Sequence, residues 1–257
     1  MVEGSSLENC RTCKGTVGSN PTSSARKFRR VMKDKLDKIQ RFAEKHMSEN
    51  KDSAHNIDHV MRVYQMALKL SEGEQVDLDV VKAAVLLHDI GGISEQNDHT
   101  GKTDHSLESA KLAKPFLENL GLNTDKVEHI LACIISHRYR TDNKPASLEA
   151  KIVFDADKLD AIGAIGLARG FTWVGRNNAY IYREVNTQDY INENLGGQID
   201  GRIQDKTKHS PQINWETKDK YIINKLYTEK AKEIAKSRVR FNETFQKRLK
   251  DEILGKV

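Results

Sequence analysis

Proline, cysteine and aromatic residues are scarce in this chain: four prolines, three cysteines and 6% aromatics over 257 residues. Each shortage excludes something. Few prolines and aromatics, beside long stretches of Lys, Glu, Ala, Leu and Ile, favour helices over a β-sandwich. Three cysteines rule out a disulfide framework, and Cys10-x-x-Cys13 has no second ligand pair to complete a zinc ribbon. The thiols read as reduced, in a cytoplasmic setting. No run of about 18 apolar residues is present, so no membrane span is expected, and no apolar stretch marks a secretory signal near Met1. The formal net charge is only +5. That suits attraction of a small anionic substrate and argues against a nucleic-acid binder, whose basic footprint is denser.

The apolar spacing predicts helices over about 24–48, 53–71, 77–90, 104–119, 124–138, 148–169 and 217–253. Residues 1–24, rich in Gly, Ser, Thr and Asn, read as disordered. Residues 93–103 and 139–146 read as loops. The stretch 175–220 has little periodicity and reads as an inserted segment or lid on a single domain of 25–257. In the last helix Phe241, Phe245, Leu249 and Ile253 recur at intervals of four. The expected fold is all-α, with six or seven core helices.

The informative residues are ionisable ones at the ends of apolar stripes. His59 begins the stripe Val63, Ala67, Leu70. His88 and Asp89 end the stripe Val81, Val85. An apolar face points to the core, where unpaired charge is costly, so these groups need partners. A shared divalent cation would satisfy them.

Three segments carry a resemblance: Ala-His-Asn-Ile-Asp-His-Val-Met-Arg-Val (54–63), Leu-Leu-His-Asp-Ile-Gly-Gly (86–92) and Phe-Asp-Ala-Asp-Lys-Leu-Asp-Ala-Ile-Gly (154–163). In this order they resemble the HD-domain phosphohydrolase superfamily, and most closely its small stand-alone hydrolases. The resemblance runs from about residue 28 to 173. It resumes through Thr228, Ala231, Ile234, Ala235, Arg238 and Phe241, and leaves out 175–220.

The resemblance implies a helical bundle with a divalent metal held by His59, His88, Asp89 and Asp157. Asp155 is the rival for the last place; two residues apart on a helix, both cannot reach one ion. A mixed His/Asp set suits Mn²⁺ or Mg²⁺, with Fe²⁺, Co²⁺ and Ni²⁺ as alternatives. Such a cation would lower the pKa of a water and neutralise a phosphoryl oxygen. Asp89, Glu95 and Asp160 are then candidates to orient or deprotonate that water, with Asp98 behind them. Arg62, Lys102, His105, His137, Arg138, Arg140 and Lys158 are candidate phosphate contacts. His105 and His137 are alternatively ligands of a second metal.

The expected activity is hydrolysis of a phosphoester or phosphoanhydride in a nucleotide, as a nucleoside triphosphate pyrophosphatase or nucleotide phosphatase. The alternatives are a cyclic-nucleotide or dinucleotide phosphodiesterase and a non-catalytic, metal-stabilised binding module. Monomer and homodimer both stay open.

Overall fold

The computed structural model describes residues 23–48, 56–98, 102–138, 143–199 and 201–257, and the side chains among these from residue 30 onward. The expectations for residues 1–22, the Cys10/Cys13 pair and Arg140 lie outside the described residues. Among the described residues there is no strand, and no helix is long and apolar enough to cross a membrane.

Polar caps start most of the helices. Helix α1 spans Ser23–Met47. Helix α2 spans Ile57–Ser71, and its first turn is fixed by the Asn56 side chain accepting from the backbone N–H groups of Asp58 and His59. The start expected near residue 53 therefore moves to this cap. Asp77 caps α3 (Leu78–Leu87) in the same way. Asp104 caps α5 (His105–Asn119) and Asn123 caps α6 (Thr124–Ser136). Ser147 caps α7 (Leu148–Leu159), and Thr228 caps α11 (Glu229–Ile253). Each cap satisfies backbone donors that the first turn leaves open.

Helix α3 lies at the centre. It touches α1, α2, α5, α6 and α7, and Val80, Val81 and Ala83 through Leu87 are all buried. A helix apolar on every side belongs in an interior. Seven helices (α1, α2, α3, α5, α6, α7 and α11) contribute to this core. The chain leaves α3 through His88 and Asp89, so both groups are delivered to the middle of the bundle.

A tight approach holds the neighbouring element in place. A Cβ on Gly91 would meet the Ser109 backbone nitrogen at 2.6 Å and the His105 carbonyl oxygen at 2.7 Å. The Gly91 N–H donates to Ser109 Oγ at 2.9 Å. Only glycine lets the end of α3 come this close to the start of α5, which brings Asp89 beside His105.

Four expectations change. The single helix of 148–169 is two, α7 and α8 (Gly163–Asn177), broken over residues 160–162. Gly163 has φ +82°, its N–H donates to Asn242 Oδ1 at 2.9 Å, and Arg238 lies where a side chain would project. Within 93–103, residues Gly92–Asn97 form a short helix, α4. The stretch 175–220, where the apolar spacing places no helix before 217, holds α9 (Thr187–Asn194), a 3-10 turn (Lys206–Lys208) and α10 (Pro211–Thr217) among its described residues, around an apolar cluster of Tyr190, Ile191, Leu195 and Ile213. Finally, the last helix, expected from 217, begins at Glu229 after a 3-10 stretch over Asp219–Lys225; it buries Ala231, Ala235 and Asn242, while Phe241 and Ile253 are exposed.

Candidate metal centre

Four imidazoles face one space with their tautomers fixed. Backbone carbonyls only accept, so Nδ1 of His88 donates to Val85 O (2.7 Å) and Nδ1 of His137 donates to Ile134 O (2.6 Å). Nδ1 of His59 donates to Asp160 Oδ2 at 2.7 Å, and Nδ1 of His105 donates to Glu95 Oε2. Every Nε2 is thereby left with its lone pair toward the interior, the arrangement in which outer partners orient metal-binding histidines.

Carboxylates complete the set. His59 Nε2 lies 3.5 Å from Asp89 Oδ2 and 3.3 Å from Asp157 Oδ1. His88 Nε2 lies 3.5 Å and 4.0 Å from the same two oxygens. It is buried with no hydrogen-bond partner among the described residues. Ligand atoms at right angles on an ion with bonds of ~2.1 Å sit about 3 Å apart, and opposite ones about 4 Å apart. The observed separations fall in that range. His59, His88 and Asp89 form a group that can hold a divalent metal, and Asp157 adjoins it. A buried imidazole lone pair beside two carboxylates fits a cation better than an empty core.

Asp89 has a second side. Its Oδ1 is 3.5 Å from Nε2 of both His105 and His137. Those two nitrogens are only 3.1 Å apart. Two lone pairs at that distance require a proton or a cation between them. Asp89, His105 and His137 form a second group able to hold a metal.

The electrostatics favour a cation. Burial alone would raise the carboxyl of Asp89, but His88, His137, His105 and His59 hold it well below the usual range. Burial would raise Asp157 as well; Lys158, His59 and His88 hold it low. Burial lowers His88 to about 4, so it is neutral and able to coordinate at pH 7. Burial also acts downward on His59, but hydrogen bonds to Asp157 and Asp160 prevail and raise it. A proton therefore stays on His59 to higher pH than on a free imidazole, and a metal must displace it. Mn²⁺ loading is expected to release protons, and its affinity to fall as the pH drops from 8 to 6, by up to about tenfold per unit for each proton displaced. Titration in weakly buffered solution measures the release; proton-neutral loading would contradict this assignment of ligands.

The remaining expected residues divide into two sets. Glu95 and Lys158 reach the cleft above the cluster, with Arg138. Glu95 receives Arg138 Nη2 at 2.9 Å and is held at about 2, against burial, by His105 and Arg138. Lys158 Nζ donates to Asp157 Oδ2 at 2.6 Å. Asp160 stands behind His59. It accepts Arg62 Nε (2.9 Å), Arg62 Nη2 (3.0 Å) and Arg169 Nη1 (2.9 Å) besides His59 Nδ1, and is not among the residues lining the cleft. Arg62, expected at phosphate, is turned to Asp160. Asp98 accepts from the Thr103 N–H, and exposed Lys102 is not among the residues lining the cleft. Asp155 faces away from the histidines: it is fully buried and accepts from Tyr227 N, Thr228 N and Thr228 Oγ1 at 2.7–2.9 Å. Cys133 is buried and pushed up to about 12 by that burial, which makes it unreactive.

Sequence reasoning missed Arg169, the second cation on Asp160. It also missed Arg176, Arg202, Lys206 and Lys218, which line the 440 Å³ cleft. Only the net positive charge hinted at them.

The HD domain family model matches residues 56–162. The uncharacterized protein YpgQ of Bacillus subtilis is 35% identical over 134 residues, which are 52% of this chain and 63% of that protein. The chain spans a little under two thirds of the length of the curated relatives it matches. An HD-superfamily hydrolase from Bacillus thuringiensis has a similar structure, with TM-score 0.63 and 25% identity, covering 86% of this chain and 97% of that one. Bacillus subtilis YpgQ in complex with ADP shares the fold at TM-score 0.63 and 23% identity, over 86% and 96% of the two chains.

Proposed function

We propose that this chain is an HD-domain, metal-dependent phosphohydrolase acting on a nucleotide, a reading supported by the family-model match over residues 56–162, by the likeness to an HD-superfamily hydrolase and by the geometry of the centre. The specific reading is a nucleoside triphosphate pyrophosphatase or a nucleotide phosphatase. The observation that carries it is the convergence of tautomer-fixed Nε2 atoms on the carboxylates of Asp89 and Asp157. That a protein of the same fold was solved with ADP supports a nucleotide as the ligand class.

His59, His88, Asp89 and Asp157 would hold the ion, with Mn²⁺ or Mg²⁺ the best match to the donor set. A divalent cation there supplies Lewis acidity toward a phosphoryl oxygen and acidifies a water. The side chains do the rest. Asp160, gripped by Arg62 and Arg169, keeps His59 in its tautomer. Arg138, Lys158, Arg176, Arg202, Lys206 and Lys218 offset phosphate charge along the cleft. His105 is raised: burial works against it, but Glu95 and Asp89 prevail. Its Nε2 therefore holds a proton to higher pH than a free imidazole does, and can pass it to a leaving oxygen.

A second reading has its own support. The closeness of His105 Nε2, His137 Nε2 and Asp89 Oδ1 favours two ions, as in a phosphodiesterase. Elemental analysis showing two ions per chain would select it. The main test is purified protein with Mn²⁺ and a panel of nucleotides, products identified by mass. Release of pyrophosphate or phosphate is expected. A panel left intact by metal-loaded protein, while metal still raises the melting temperature, would leave a binding module instead.

A further inference from the structure

We propose that a cavity beside the cleft, walled by Trp173 and Trp215, binds the nucleobase of the substrate whose phosphates lie in the cleft. The proposal rests on the nucleotide reading above. The cavity holds about 230 Å³. That is below the ~300–1,000 Å³ of sites for whole drug-sized ligands, so it offers room for one ring system, not a complete nucleotide.

Its chemistry matches a flat, neutral heterocycle. Trp173 and Trp215 are the only tryptophans of the chain, and both line it. Aromatic side chains take a base by stacking. Among its polar lining residues, Gln246 and Asp219 stand out. The amide oxygen and nitrogen of Gln246 and the Oδ1 of Asp219 are enclosed without a hydrogen-bond partner among the described residues. The other oxygen of Asp219 accepts from Asn214 Nδ2 at 2.6 Å, which fixes the carboxyl. Buried polar atoms without partners are costly, and these three belong to two residues that line one hollow. An amide with donor and acceptor, next to a carboxylate acceptor, complements the edge of a base that offers both N–H groups and ring-nitrogen lone pairs.

The cavity is connected to the centre. Lys218 lines the cleft, the cavity and a 120 Å³ recess between them. The recess shares Asp157 and Lys158 with the cleft, and Ala161 and Arg169 with the cavity. A ligand running from Asp157 to Trp215 would pass Lys218, a natural place for the phosphate nearest the sugar. Much of the cavity wall comes from residues 203–219, the part of the chain where the motifs give no guidance.

Intrinsic fluorescence excited at 295 nm reports on this cavity alone, because no other tryptophan exists. The full chain, in EDTA and separately with Mn²⁺, is titrated with adenosine, guanosine, cytidine and uridine, and with inorganic triphosphate and ribose 5-phosphate as controls. At least one nucleoside should change the emission saturably, and the controls should not. Gln246→Ala, checked for its fold by circular dichroism, should raise the half-saturating concentration about tenfold. If that variant does not fold, the wild-type contrast between nucleosides and controls decides. No saturable response to any nucleoside, or an equal response to inorganic triphosphate, overturns the base site. Should the protein then still hydrolyse nucleotides, the phosphohydrolase reading stands without it. A nucleoside response without hydrolysis of any phosphorylated compound would instead keep the cavity assignment and remove the enzymatic one.

Discussion

Asp89→Ala is expected to lower turnover by at least a thousandfold and to strip the ion, while the helices remain. Among the described residues, Asp89 bridges both histidine pairs: Oδ2 faces His59 and His88, and Oδ1 faces His105 and His137. Loss of a direct charge contact that stabilises the reacting phosphate is worth several kcal/mol, and about 4 kcal/mol corresponds to that thousandfold. The fold should survive because Asp89 follows the end of α3 and the surrounding imidazoles can discharge. His88 is already neutral at pH 7, lowered by burial to about 4. Metal content by elemental analysis, kcat/KM with Mn²⁺ and far-ultraviolet circular dichroism measure the three parts. Asp89→Asn, which keeps the shape and removes the charge, should be nearly as inactive. Full activity in either variant would show that the centre lies elsewhere.

The second large effect concerns stability. Asp155→Ala should cost about 3 kcal/mol and lower the melting temperature by roughly 6–12 °C for a domain of this size. The carboxylate is fully buried and receives three donors from the start of α11, which its loss would leave unsatisfied. Asp157→Ala should do the opposite: little change in the melting of metal-free protein, but loss of the ion. The two variants, compared by calorimetry with and without Mn²⁺, separate neighbouring aspartates that sequence spacing alone left as rivals. A crossed result would reverse their roles.

How much was legible follows from which signals are local. The stripes of α2, α3 and α6 have helical spacing, with His59, His88 and His137 at their ends, so those elements could be read directly; the grouping of these histidines with Asp89 and His105 was implied by the family resemblance. The break at 160–162 could not. No proline marks it, and it depends on Asn242 and Arg238, which lie far along the chain. The stripe Phe241, Phe245, Leu249, Ile253 does not form the buried face of α11, for a geometric reason. Four residues advance a helix by about 400°, so the stripe drifts ~40° at each step and cannot stay on one partner. The small residues Ala231 and Ala235, with Asn242, make the close contacts instead. The cationic wall from Arg176 to Lys218 has no period to detect, because it is assembled by tertiary folding of short helices and turns.

The joint between α7 and α8 also has a bearing on biosynthesis. His59 takes its aim from Asp160, and the turn that follows Asp160 is fastened by residues near position 240. During translation the first imidazole of the centre emerges early, yet its support is incomplete until some 180 residues later. Nascent chains arrested after Asp160 but before that point would carry every residue of the cluster and still lack the geometry to hold a guest. Maturation of the centre is thereby coupled to completion of the helix that closes the bundle.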